Sequence, residues 1–175
     1  MSEDRAPARS AAETLFDDLY QSRYRDVFRY SMLMLRSRDD AEDVTADTFQ
    51  RAYSAIGAGR GPAGDPLPWL FLICRRIVLN IVRRRRLISW LPLASLPAAR
   101  EPRHAETAEA AEFWLWFGSL AKALPDRQRE VLILRYQRDL DDEQIGVILG
   151  LSASGVRSLS SRAIQSLRTH PEIWS

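Results

Sequence analysis

The chain has 175 residues, enough for one medium or two small domains, with 46% hydrophobic and 27% charged residues, an ordinary balance for a protein with an apolar core. The net charge of +2 says little about partners, but the single Cys74 excludes an internal disulfide framework, and His104 and His170 stand far apart with no cysteine nearby, which argues against a zinc site. No signal peptide opens the sequence and no apolar run approaches the ~20 residues needed to span a bilayer, so the expectation is a soluble protein of the reducing cytoplasm.

Alternating β-branched runs are absent and apolar residues recur at helical spacing, which predicts an all-α chain. Residues 1 to 11 are small and polar and read as frayed. A helix is expected from Ala12 to Leu35, burying Leu15, Leu19, Val27, Phe28, Met34 and Leu35. Ser37-Arg38-Asp39-Asp40 reads as a turn and helix start. The second helix then runs to Ile56, with Ala41, Val44, Thr48, Ala52 and Tyr53 at helical spacing. Gly57 to Pro68 holds four glycines and three prolines, a loop signal, and is long for a helix connection. A third helix is expected from Pro68 to Arg86, with Trp69, Leu70, Ile73, Ile77, Ile81 and Val82 as its core face and Arg76, Asn80, Arg83 and Arg84 together on another. The proline-rich stretch Leu87 to Ala105 reads as a flexible linker, with Trp90 and Leu91 as possible packing residues. Helix resumes from Thr107 to Leu124, burying Phe113, Phe117 and Leu120. Pro125 opens another helix to Tyr136, with Val131, Leu132 and Leu134 apolar. The layout is two small helical domains, 12–86 and 107–170, joined by the linker 87–106.

The last part of the chain is the most informative. Asp141 or Asp142 can cap a helix through Leu149, and Gly150 can end it in the left-handed conformation that suits a helix terminus. Ser152 can then cap a second helix to Arg168. Two helices joined by a tight glycine turn form a helix-turn-helix, whose second helix lies in the DNA major groove. That helix offers Arg157, Ser158, Ser161 and Arg162 opposite Val156, Leu159, Ala163 and Leu167. The plainer reading is a helical hairpin with a solvated polar face.

Charge is segregated along the chain. Asp39, Asp40, Glu42, Asp43 and Asp47 form an acidic block, and Arg75, Arg76 and Arg83 to Arg86 a basic one. Such segregation suggests one basic and one polyanionic partner; the competing reading is two solvated helix faces. Lys122 is the only lysine, and arginine forks suit phosphates and base edges, although a GC-rich genome gives the same bias. Trp114, Trp116 and Trp174 read as packing rather than a ligand surface. No histidine has a catalytic partner and no phosphate-cradling glycine loop precedes a helix, so neither an enzyme nor a cofactor is expected. Two other classes compete. Trp69 to Leu93 is apolar, arginine-rich and tryptophan-flanked, as in an interfacial helix of a peripheral membrane protein. A conventional helix-turn-helix regulator would bind an operator on its own, but leaves the acidic helix unexplained.

The order of these segments carries a family resemblance. Asp40-Ala41-Glu42-Asp43-Val44-Thr45-Ala46-Asp47-Thr48-Phe49 resembles the core-binding motif of region two in bacterial sigma factors. Pro68-Trp69-Leu70 through Arg83-Arg84-Arg85-Arg86 is similar to the helix that closes that region. Leu124-Pro125-Asp126-Arg127-Gln128-Arg129-Glu130-Val131 through Arg168 is similar to region four. Two such regions and a short linker are the layout of an extracytoplasmic-function (ECF) sigma factor, and the resemblance covers about nine tenths of the chain.

The resemblance implies a transcription initiation factor that binds core RNA polymerase and directs it to promoters. Asp39, Asp40, Glu42, Asp43, Asp47 and Gln50 would meet the clamp helices of the β′ subunit, with the β flap as the contact of region four. Asp43 and Asp47 sit four apart and share a helix face. The minus-ten element would be melted and held by the loop Gly57 to Pro68, with its Arg60, and by Trp69, Arg75, Arg76, Asn80, Arg83 and Arg84. The minus-thirty-five element would be read by Ser152, Ser154, Arg157, Ser158, Ser161 and Arg162, with Arg127 and Arg129 on phosphate. An anti-sigma factor, if one exists, would be a further partner on another chain. The sequence departs from the family pattern at several positions. Ala46 stands for a usual glutamine, Arg76 for asparagine and Asn80 for aspartate. Ser154-Gly155 replaces glycine-threonine, and Leu159-Ser160 replaces arginine-leucine. That last change removes one arginine and is expected to move the buried stripe by one position, making Leu159 core.

Overall fold

The computed structural model describes residues 5–89, 124–136 and 140–169, with side chains from residue 11 to residue 87 in the first stretch. It has six helices among these residues: α1 (Arg5–Leu35), α2 (Arg38–Gly57), α3 (Pro66–Ser89), α4 (Asp126–Arg135), α5 (Asp142–Leu149) and α6 (Ala153–Arg168). No strand occurs among the described residues, and the expected all-α class holds. The expected linker beyond Ser89, the helix 107–123, and Trp90, Trp114, Trp116 and Trp174 lie outside the described residues. The chain divides into two compact units, one holding α1, α3 and nearly all of α2, the other α4, α5 and α6.

In the first unit α1 packs along α3. Tyr30 meets Phe71 edge to face at 5.3 Å, and the Ser31 hydroxyl pairs with the buried Cys74 thiol at 3.3 Å. Leu67, Leu70, Phe71, Cys74, Ile77 and Val78 form the buried face of α3, while Trp69, Ile73, Ile81 and Val82, expected in the core, are half-buried. The helix starts earlier than its Pro68 suggests: Asp65 accepts the Leu67 N–H at 3.0 Å and Pro66 takes the first turn, where a missing N–H costs nothing. It ends later, at Ser89, because Leu87, Ile88 and Ser89 contain no helix breaker.

The inner face of α2 is Ala41, Val44, Thr45, Thr48, Phe49, Ala52 and Ile56. Two of these residues are polar, yet both hydroxyls are satisfied inside the helix: Thr45 donates to Ala41 O at 2.6 Å and Thr48 to Val44 O at 2.7 Å. Phe49 reaches α1 through Phe16, Tyr20 and Tyr24. The helix ends where Gly59 turns left-handed at φ 70°, its N–H bonding Ile56 O and the Arg60 N–H bonding Ala55 O.

Helix α1 begins at Arg5 rather than Ala12, because its alanine-rich start favours helix. Leu15 and Tyr53, both expected inside, are 43% and 50% exposed. The inward row runs through Phe16, Leu19 and Val27, and Leu15 is one position, about 100°, off it. Tyr53 instead lies against Phe16 from outside, ring centres 5.0 Å apart. Between α1 and α2, Arg36 adopts φ 57°, an uncommon conformation for a side-chain-bearing residue. Arg85 of α3 ties this junction down, donating to Leu35 O at 3.1 Å and to the Asp40 carboxylate.

In the second unit the three described helices pack on one another. Helix α4 buries Val131, Leu132, Ile133 and Leu134, together with Arg129 and Glu130. Helix α5 buries Ile145, Gly146, Ile148 and Leu149. Its N-cap is Asp141: the side chain accepts from Gln144 N at 2.8 Å, and the Gln144 side chain accepts from Asp141 N at 2.9 Å. Gly150 ends it at φ 67°, and Ser152 caps α6 by accepting from Gly155 N at 3.1 Å. A Cβ at Gly146 would stand 2.5 Å from Leu151 O, so the turn approaches the helix where only glycine leaves room.

The stripe of α6 does not move as expected. Val156, Ser160, Ala163 and Leu167 are buried, and Leu159 is half-buried. Steps of four, three and four residues keep one face inward, and the caps at Gly150 and Ser152 set which face that is. Ser160 therefore occupies an apolar position, and its Oγ has no hydrogen-bond partner among the described residues.

Candidate functional site

Because α2 buries its apolar row, its remaining residues face outward. Asp39, Glu42, Asp43 and Gln50 are exposed, and Asp40 and Asp47 half-buried. The six expected polymerase-facing residues thus divide by role. Asp40 is engaged by Arg85 and belongs to the α1–α2 junction. Asp47 pairs with Arg51 one turn later at 3.2 Å and lines a groove rather than the middle of the acidic face. Asp39, Glu42, Asp43 and Gln50 form the outward surface, with Ala46, also exposed, among them.

That groove, about 630 Å³, lies between α2 and α3, and Arg60 of the glycine-rich loop contributes to its wall. It brings together three of the expected minus-ten residues, Arg60, Trp69 and Arg76, with Asp47, Gln50 and Arg51 of α2. Leu72 and Ile73 supply apolar wall. Trp69, Ile73, Arg76, Asn80 and Arg83 follow one another at steps of four and three, so they form one side of α3. Asn80, Arg83 and Arg84 are exposed and Arg75 is half-buried; none of the four lines the groove itself. Arg51 was not anticipated from the sequence, although its spacing of four from Asp47 was a signal for an ion pair. An aromatic ring beside arginines can stack a base while the cations hold phosphate.

In the second unit Ser152, Ser154, Arg157, Ser158, Ser161 and Arg162 are all exposed, on the side of α6 away from Val156, Ala163 and Leu167. They are not equally available. The Ser152 hydroxyl caps the helix and pairs with the Ser154 hydroxyl at 3.0 Å. Arg162 leans back, its Nε donating to Ser158 O at 3.3 Å. Arg157 pairs with Asp142 of α5 at 3.4 Å. Arg127 is exposed as expected. Arg129 is not at the surface: its side chain is 10% exposed and donates to Asp126 at 2.6 Å, because it shares the inner face of α4 with Leu132 and Ile133. Its expected phosphate contact is therefore corrected to an internal role. A second groove, about 580 Å³, adjoins α6 near the start of α4 and includes Gln128, Arg162, Gln165 and Arg168.

Comparison with known proteins now bears on these surfaces. Residues 19–88 match Sigma-70 region 2, and residues 120–169 match Sigma-70, region 4. The ECF RNA polymerase sigma factor SigM of Bacillus subtilis is 31% identical over 157 residues, covering 87% of this chain and 92% of that protein. The chain belongs to the ECF sigma factors. The ferric citrate uptake sigma factor FecI of Escherichia coli is 26% identical over 90% of the chain and 91% of its own length. Two solved structures share the fold. The sigma factor RpoE in complex with the anti-sigma factor NepR, from Bartonella quintana, superposes with a TM-score of 0.70 at 20% identity, over 91% of this chain and 96% of that one. CnrH in complex with the cytosolic domain of CnrY gives 0.69 at 23% identity, over 98% and 99%. As a sigma factor the protein is a transcription initiation factor that binds core RNA polymerase and promoter DNA. No helix among the described residues is long and apolar enough to cross a membrane.

Proposed function

We propose that the two units divide promoter recognition between them. The outward acidic face of α2 takes the clamp helices of the polymerase β′ subunit. The groove between α2 and α3 takes the melted minus-ten strand, and the exposed side of α6 reads the minus-thirty-five duplex while its unit docks on the β flap. One observation carries this reading: α2 turns Asp39, Glu42 and Asp43 outward while its other edge helps build a groove with Trp69, Arg60 and Arg76. A single helix can therefore hold polymerase and DNA at once. Extruding a base costs a few kcal/mol, which stacking on Trp69 and the arginine contacts offset. Arginines on the strand release counterions, so affinity falls with salt.

The site of action is the cytoplasm, where polymerase and promoter are. An anti-sigma factor is a further partner in this reading, since the sigma factor RpoE, which shares this fold, was solved in complex with one. An interfacial membrane helix fits less well, because Leu70, Phe71, Ile77 and Val78 of α3 are spent on the core. Core polymerase reconstituted with this chain tests the proposal. It should transcribe from a subset of promoters that core polymerase alone ignores, and its selectivity should need both units. Promoter-independent initiation by the complex would sink the reading.

A further inference from the structure

Asp142, in the first turn of α5, divides its carboxylate between two other helices. Oδ1 accepts from Nη1 of Arg135 in α4 at 2.6 Å, and Oδ2 lies 3.4 Å from Nη1 of Arg157 in α6. The three side chains come from the three described helices of the unit, so α6 is tied to its supports through the arginine it presents. The carboxylate is sheltered, with the Asp142 side chain 20% exposed, whereas the Arg157 side chain is 57% exposed and projects outward. The contact uses one corner of the guanidinium. With Nη1 turned toward Asp142, the opposite edge, Nε and Nη2, is the pair of parallel donors that matches the O6 and N7 acceptors of guanine. A long side chain held in advance also loses less freedom on binding.

We propose that Asp142 is a positioning residue for base reading: it holds Arg157 by Nη1 so that the Nε–Nη2 edge is offered to a guanine in the upstream element. Arg135 takes the other oxygen and so turns Oδ2 toward α6. This inference rests on α6 being the helix that reads the upstream duplex. It also carries a sign that a scaffolding role lacks. A carboxylate beside DNA repels phosphate, so removing its charge should lower selectivity while leaving general DNA affinity equal or higher.

The test uses the full chain with core polymerase on double-stranded promoters in which each upstream base pair is changed in turn. Arg157→Ala should erase the preference at one pair. Asp142→Asn should lower the preference at that same pair by about two- to fivefold, the range expected from an exposed ion pair, with binding to unrelated duplex unchanged or stronger. Combining the two substitutions should add no further loss at that pair. Asp142→Glu, which keeps charge in the first turn of α5 and guards against a folding defect, should give a smaller loss at the same pair. An unchanged preference, or an equal loss on every template, overturns the role of Asp142 while leaving the assignment of α6 intact. If Arg157→Ala itself alters no preference, the assignment of α6 fails instead.

Discussion

Ser160→Ala should stabilise the second unit, against the usual direction of core substitutions. Ser160 is 3% exposed, in the buried row between Val156 and Ala163, and its hydroxyl finds no partner among the described residues. A buried, unpaired hydroxyl costs about 1–3 kcal/mol. Alanine is also the better helix former, by up to about 0.5 kcal/mol. Against this stands the small void left by one oxygen, on the order of 0.5 kcal/mol. The net expectation is a gain of about 0.5–3 kcal/mol, with a middle value of ~1.5 kcal/mol, which for a unit of this size is a rise of several degrees in Tm. Because the two units need not unfold together, the measurement should be local. Hydrogen exchange of the α4–α6 amides should slow by about one order of magnitude, and exchange in α1–α3 should not change. Faster exchange in α4–α6 would show that the Ser160 hydroxyl is stabilising in place, and would refute the reasoning.

Asp39→Arg together with Asp43→Arg, four apart on the outward face of α2, should abolish co-purification with core polymerase while helical content and unfolding midpoint stay near wild type; undiminished co-purification refutes the assignment of the α2 face. Arg60→Ala with Arg76→Ala should weaken binding to templates already opened at the minus-ten element and make the salt dependence shallower, by a log–log slope of about 0.7 for each lost single-strand phosphate contact. An unchanged slope would remove these arginines from the strand path. Gly150→Ala forces a side chain into φ 67° and should cost about 1–2 kcal/mol in urea unfolding of the second unit, with promoter use falling in step. A neutral result would mean that the turn relaxes to another conformation.

Features governed by neighbours in sequence were legible without a structure. Asp141, Gly150 and Ser152 mark the ends of α5 and α6 because a cap acts over three or four residues, and the helix-turn-helix follows from them. The acidic face of α2 was legible for the same reason: Asp39, Glu42 and Asp43 lie off the row that Ala41, Val44 and Thr48 bury. The resemblance in residue order identified the family.

What the sequence could not decide were the pairings across helices and the choice of buried face where two faces compete. Arg129 looks like Arg127 two positions earlier, yet one is buried and the other exposed, because only packing of α4 on its neighbours selects the inner side. Leu159 is the more apolar residue, but Ser160 lies in the row that the caps turn inward, so geometry overrides hydrophobicity at that step. Asp40 belongs chemically with the other acidic residues of α2, and only the arrival of Arg85 from α3 makes it part of a junction. Asp142 meets Arg135 and Arg157 for the same reason. Periodicity and capping are local energies and can be read along one helix; which charges meet and which hydroxyl is stranded depend on segments far apart in sequence, and exist only once the helices have packed.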